Sequence, residues 1–528
     1  MKYLALLFLL PGCTTFSEKL VNCTTNGECT DRLGAAAVCV QGVEPRCVAL
    51  ASDDCAVITG DYRDDKAVLI ASLLSTTGAQ QDTNLPRQQA AIMAVEEINA
   101  NNASGGILLS STPGDSRKLL MVSCDEAANL PRAATHLVTE LHATAIIGPN
   151  LSQDVLALTT GDPTIGLPSS AQAGTALLTP TGVASAIATV PDNGLTFMMT
   201  ASDIQRVPLM TLQINAVEAM LKTQRAKPTI KLAIYYRDDA LGQGTRDGLA
   251  QLMINDTTLS SAITAGTARE DSYDPAVTTN AAQIMSYAQF RPDIIVLVGA
   301  TESIKSFVVP LEAAWPGGVP RPYYISIDST KVPDLITAVT GNDDLRLRFR
   351  GTGISAQAGE TQNVFNAFQI AYGQRWQDAS GNPQPATQSG MGPAYDAVYT
   401  VALALVGKQS ASAQNMVGGM ANLSNNPVAC GYDASGVVAP CFTVSDHSRT
   451  LYNNMGLLLQ KQKVTEIGTF GRLEWDAQGA KSSGLIEMWC IGATGGAPEF
   501  ASSGLFYDVK TQQVSGTYTQ CPPAPVQP

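Results

Sequence analysis

From Lys66 onward the chain alternates between two hydrophobic rhythms. Residues 67–73 form a continuous run that is apolar apart from Ser72, which predicts a strand buried on both faces. A loop of Ser, Thr, Gly and Gln follows, and Pro86 then opens a helix, a favoured position for proline. In that helix Ile92, Val95 and Ile98 recur three apart and Ala91 precedes Val95 by four, giving one apolar stripe that ends before Gly105 and Gly106. Strands at 119–122, 144–147, 176–179 and 196–200 and a helix at 130–141 continue the pattern. It restarts near residue 201, with helices at 207–221, 244–253 and 304–314 and strands at 230–236, 294–298 and 323–327. Helices at 364–376, 394–407 and 451–461 come later, and 471–489 reads as two strands around a turn at 476–479. Alternating strands and helices predict parallel sheets covered on both faces, and two runs of them predict two α/β lobes. In such sheets a ligand sits beyond the carboxyl ends of the strands, so chemistry is expected in the loops that leave them.

The ends have a different texture. Lys2 precedes an apolar run over residues 3–10, followed by Pro11, Gly12 and Cys13. A bilayer span needs about 20 apolar residues, so this run has the length of a signal-peptide core instead. Leu10, Gly12 and Cys13 resemble the lipobox of bacterial lipoproteins, which implies lipidation of Cys13 as the first mature residue. The competing reading is an ordinary secretory signal whose Cys13 pairs with another thiol. Residues 14–65 lack apolar periodicity and carry Cys23, Cys29, Cys39 and Cys47, as expected of a disulfide-stapled stalk or a small binding module. Setting Cys13 aside leaves ten of the 11 cysteines, enough for five disulfides in an exported chain. Their connectivity stays open. Nearness in sequence favours Cys430–Cys441 and Cys490–Cys521, and Cys55–Cys124 would tie a strand entrance to its neighbour. Residues 501–528 read as a tail, ending in four prolines among the last eight residues. The net charge of −13 with no run of Lys or Arg argues against nucleic acid, which is bound by concentrated cations. Beyond residue 13 no apolar stretch is long enough to cross a membrane.

The motifs from 66 to 490 form an ordered series. They are QQAAIMAVEEIN at 88–99 followed by Gly105, Gly106 and Ile107; Cys124 and Asp125; AIIGPNLS at 145–152; and LTPT at 178–181. KLAIYYRDD at 231–239 with Gly242 and Gly244, YDAVY at 395–399 and GRLEWD at 471–476 complete it. The series resembles the type I periplasmic binding protein family, and within it the branched-chain amino acid transport branch. The resemblance implies two Rossmann-like lobes with parallel sheets, joined by three chain crossings. Lobe one would span 66–200 and 356–465, and lobe two 201–355 and 466–500. It implies a small polar ligand, such as an amino acid or amide, bound between the lobes without a cofactor and delivered to an ABC permease. It places the ligand carboxylate on the loop of Asn150 and Ser152, where a hydroxyl and helix-start amides favour an anion. Thr181 and Ser185 would grip the same head, Thr301 would face the cleft, and Asp328 would pair the ligand ammonium. Ser152 could instead cap the helix it precedes. The chain departs from the pattern at Gly182 and Val183, where hydroxyls are usual, and at Thr83 and Leu241, where aromatics are usual.

Enzyme readings find no support in the motifs. The chain has no Gly-x-Ser-x-Gly elbow, no phosphate loop ending in Gly-Lys-Ser/Thr and no His-Glu-x-x-His. His136 and His142 lie six apart, off the four-residue spacing that clamps a metal on a helix, and no metal is expected. Gly242, Gly244 and Gly248 miss the dinucleotide fingerprint by one residue. The rival function is an envelope sensor or scaffold that uses the same fold to bind a protein. The altered loops, the Cys-rich segment and the polar insert at 409–450 motivate it.

Overall fold

The computed structural model describes residues 21–112, 115–277, 281–356, 359–386, 388–423, 441–444, 449–494, 496–519 and 521. Cys13, Cys430 and His447 lie outside them. The predicted apolar runs form the centres of two sheets. The first sheet runs, edge to edge, through Thr196–Met198, Ala176–Thr179, Ala145–Ile147, Val68–Leu74, Leu119–Asp125 and Val57–Thr59. Its strands are parallel except the last, which pairs antiparallel. Separate apolar clusters cover its two faces, one gathered around Ile70 and Leu178 and the other around Ala71 and Leu177. Neighbouring residues of one strand thus enter opposite cores, which is why these strands lack polar alternation.

The second sheet has five parallel strands, in the order Ala268–Tyr273, Leu232–Arg237, Ile294–Val298, Tyr323–Ser326 and Phe349–Ser355. Three antiparallel strands extend it: Leu485–Thr494, Ala497–Asp508 and Gln513–Gly516. The boundary expected at residue 500 therefore falls inside a strand, and 501–516 belong to the sheet rather than to a tail. A Cys490–Cys521 disulfide holds the end of this extension against the sheet.

The helix Met391–Lys408 is buried from Met391 to Gly407 and has no polar face. It lies in the first lobe's core with the stripe of Gln81–Asn99. A further correction concerns the third crossing. Of the two strands expected in 471–489, the second forms as part of Leu485–Thr494, while the first shrinks to Gly471–Arg472, in a small sheet with Thr465–Gly468 and Cys441–Thr443. The Trp475 indole donates to the Met198 carbonyl at 2.9 Å, and the Met198 amide donates to the Gly479 carbonyl at 2.9 Å. These bonds hold 465–479 on the first lobe, so the chain crosses later than residue 466.

The Cys-rich segment is a folded module docked on the first lobe. Its helix Asn26–Leu33 is capped by Thr25, ends at Gly34, and packs with the hairpin Ala37–Val40 and Arg46–Ala49. Disulfides Cys23–Cys39 and Cys29–Cys47 staple it, and Cys55–Cys124 ties it to the central sheet. Asp54 accepts a forked bond from Arg132 at 2.5 and 2.7 Å, and His136 Nε2 meets the Leu50 carbonyl at 3.1 Å. Cys441 is also disulfide-bonded. Among the described residues no helix is long and apolar enough to cross a membrane.

Candidate functional site

A cavity of about 530 Å³ lies where the strands of both sheets end at their carboxyl sides. From the first lobe it receives the start of helix Gln81–Asn99 and the loops after Ala145–Ile147 and Ala176–Thr179. From the second it receives the loops after Leu232–Arg237, Ile294–Val298 and Tyr323–Ser326. This is the position that the topology of open parallel sheets dictates.

Asn150, Ser152, Thr181, Thr301 and Asp328 all stand on its wall. Ser185 does not. It opens the turn Ser185–Thr189, and its amide donates to Asp203 Oδ1 at 3.1 Å. Asn150 is a hub: its Oδ1 accepts from Arg87 Nη1 at 2.6 Å and Thr181 Oγ1 at 2.9 Å, and its Nδ2 donates to Gln80 Oε1 at 2.9 Å. Ser152 Oγ accepts the amides of Val183 and Ala184, each at 3.1 Å, and so binds two cleft loops together. It is the first residue of helix Ser152–Thr160, whose cap position is Leu151 and carries no side-chain cap. Asp328 Oδ2 accepts from Arg206 Nη2 at 2.8 Å. Arg206 is buried, and its Nη1 donates to the Ala201 carbonyl at 2.8 Å.

Arg87, Arg206 and Arg237 were not among the expected site residues, although Arg237 lies in the motif at 231–239, yet they set the electrostatics. Arg237 pairs with Asp239 at 2.7 Å and Glu302 at 3.0 Å, and Glu302 Oε1 also accepts from the Tyr273 hydroxyl at 2.9 Å. Lys305 pairs with Asp334 at 3.0 Å and Lys331 with Glu487 at 3.5 Å. The wall thus carries five cations against three carboxylates, in a chain whose net charge is −13. Arg87 sits one residue before the helix motif, the signal by which the sequence marks it. Its Nε donates to the Ser389 carbonyl at 2.6 Å, and its Nη1 donates to Asn84 Oδ1 at 2.7 Å as well as to Asn150. Burial pushes the guanidinium down to about 10, against the pull of Asp328 and Glu126. Glu126, behind Asn150, is pushed up to about 8 by burial and by Asp154, which favours its neutral form at pH 7. Its Oε1 accepts from the Asn150 amide at 3.2 Å and the Ser75 hydroxyl at 3.0 Å.

No family model matches the sequence, and no curated protein matches it. Solved structures do match the fold. A periplasmic binding protein type 1 from Bordetella pertussis is 16% identical, with a TM-score of 0.52 over 83% of this chain and 100% of that one. LivJ of Streptococcus pneumoniae, a branched-chain amino acid transporter substrate-binding protein in complex with isoleucine, is 17% identical, with a TM-score of 0.53 over 83% and 100%. A solute-binding protein of an ABC transporter from Rhodopseudomonas palustris, in complex with 3,4-dihydroxybenzoic acid, is 13% identical, with a TM-score of 0.56 over 84% and 98%. The chain has the type I periplasmic binding protein fold.

Proposed function

We propose, from the type I periplasmic binding protein fold and its interlobe cleft, that this protein captures a small organic solute between its lobes. In this reading it is non-catalytic and hands the solute to an ABC-type permease. One observation carries it: a cavity of about 530 Å³ walled by strand-end loops of both sheets. That size lies within the roughly 300–1,000 Å³ range of small-molecule sites, and a wall shared by two lobes favours closure by hinge motion. Asn150, Ser152, Thr181 and Thr301 are proposed as ligand contacts. Ser185 is not among them, since it stands off the wall with its amide bonded to Asp203.

We also propose that the mature chain is exported and held at the cell envelope by lipid on Cys13, with residues 66–480 and 485–516 dividing between two lobes and 21–55 forming an accessory module. Scanning fluorimetry of the full mature chain against a library of carboxylates, amides, amino acids and sugars tests the binding reading. A concentration-dependent rise in melting temperature for one class supports it. No rise with any class, together with recovery of an envelope protein by crosslinking, would replace it with the scaffold reading. Metabolic labelling with a palmitate analogue tests the anchor: label that persists in Cys13→Ser would refute it.

A further inference from the structure

We propose that the solute is an organic anion carrying a carboxylate and no ammonium group, and that Arg87 receives that carboxylate. This rests on the cleft-binding reading and specifies its ligand class.

The pairing of charges carries the inference. Eight charged side chains line the cavity: Arg87, Arg206, Arg237, Lys305 and Lys331, with Asp239, Glu302 and Asp328. Seven of these eight have an ion-pair partner within the protein. Arg87 alone among the described wall residues has none. It is only 9% exposed, so its charge is held largely out of water. A buried cation with no carboxylate in contact is costly: Asp328 and Glu126 attract it only from a distance, and its bonds to Ser389, Asn84 and Asn150 are all to neutral oxygens. Those three bonds use Nε and Nη1, leaving Nη2 with no hydrogen-bond partner among the described residues. A guanidinium fixed at two nitrogens keeps the third, Nη2, to donate to an oxyanion, and a carboxylate oxygen is a suitable acceptor.

The ammonium side is closed by the same accounting. Asp328, the carboxylate that the family resemblance assigns to a ligand amine, is taken by Arg206. Arg206 is 2% exposed and already has a buried Nε without a partner, so withdrawing Asp328 from it would leave a second uncompensated charge. Asp239 and Glu302 share Arg237. Among the described residues no wall carboxylate is therefore left without a guanidinium, whereas one guanidinium is left without a carboxylate in contact. Val183, Leu241, Val277 and Val332 supply an apolar surface for the rest of the molecule. Wall chemistry of this kind fits an apolar body with one anionic head.

The test is isothermal titration of the full mature chain with matched sets. Each set holds a monocarboxylate such as benzoate or 4-methylvalerate, its neutral amide, and the α-amino acid of the same skeleton where one exists. The expected result is binding of carboxylates, with amides weaker by about 100-fold, as loss of one partner of a buried charge pair gives. The α-amino acids should bind more weakly than their des-amino counterparts. Arg87→Gln should lose carboxylate binding by about 100-fold while its own unfolding midpoint holds or rises, because an uncompensated buried cation has been removed. Arg87→Lys, which keeps the charge without the bonds that fix the guanidinium, should fall between. Preference for an amino acid over its des-amino analogue, or full carboxylate affinity in Arg87→Gln, overturns the proposal and leaves solute binding standing. An amide binding as well as its acid overturns it in the same way, and the wild-type series gives that answer even if a variant does not fold. Silence across every class overturns both readings together.

Discussion

Gly390 shows how closely the Arg87 end of the cleft is fitted. Its φ is +88°, and a Cβ built there would lie 2.4 Å from Thr181 Cγ2 and 2.8 Å from Arg87 Nε. Gly390→Ala should cost about 1–3 kcal/mol in stability from the backbone conformation alone. It should also displace Arg87 and weaken ligand binding, which titration would show; unchanged affinity would mean that Arg87 has no fixed pose. Asp328 gives a second prediction. If its task is to neutralise Arg206, Asp328→Asn should lower the unfolding free energy in urea by about 3–5 kcal/mol, the range for breaking a buried pair. A variant as stable as the parent but unable to bind ligand would assign Asp328 to the ligand instead. At this scale the sequence marked the loops well: Asn150, Ser152 and Thr181 stand on the cavity wall because strand ends and family motifs locate loops. It could not mark Arg87 as unpaired. That property is the absence of a carboxylate from several segments, and it exists only once they are assembled.

Elements were legible where burial alone decides the residue types. The runs at 68–74 and 294–298 are apolar except for Ser72 because both faces are covered. The strands that escaped notice break that rule for visible reasons. Phe349–Ser355 is a buried strand, yet it contains Arg350 and two glycines. A Cβ on Gly351 would lie 2.4 Å from the Trp489 ring, so the neighbouring strand supplies the bulk that the pattern lacks. Ala268–Tyr273 is an edge strand, and its Arg269 and Asp271 pair with each other at 2.7 Å. The Cys-rich segment carries no apolar period because disulfides and the face of the first lobe do the work of a core. Cys55–Cys124 spans 69 residues of sequence, and closing a loop of that size restricts the unfolded chain by about 4 kcal/mol. Replacing both cysteines with alanine should lower the urea midpoint accordingly. An unchanged midpoint would show that Asp54–Arg132 and the strand Val57–Thr59 hold the module without the covalent tie.

The whole molecule is two sheets whose strand ends converge on one cavity, an arrangement that the alternation of elements predicted. The crossings were harder to place, because a crossing has no composition of its own. The third lies later than expected, since Trp475, expected in the second lobe, is bonded to Met198 in the first. Assembly at this scale also buries carboxyl groups that no motif requires. Burial pushes Glu97 and Asp396 up to about 7, Glu126 to about 8, and Asp154 and Asp203 to about 6. In the unfolded chain the same groups ionise near 4. Between about pH 4.5 and pH 8 the folded state therefore holds more protons than the unfolded state, and stability must fall as pH rises. The stabilisation is complete below the unfolded values and is lost as each folded value is passed. The opposing groups act elsewhere: Asp54, held below the usual carboxylate range by Arg132, matters only in more acidic solution. Lys481, pushed down to about 8 by burial, opposes the trend only from the top of this window upward. Calorimetry at constant ionic strength should find a higher melting temperature at pH 5 than at pH 8. Glu126→Gln, which fixes the neutral form, should flatten the upper half of that slope. A melting temperature that is level or rising from pH 5 to pH 8 would mean that these carboxyls reach water or cations in solution, and that the lobes are less closely packed around them than their burial implies.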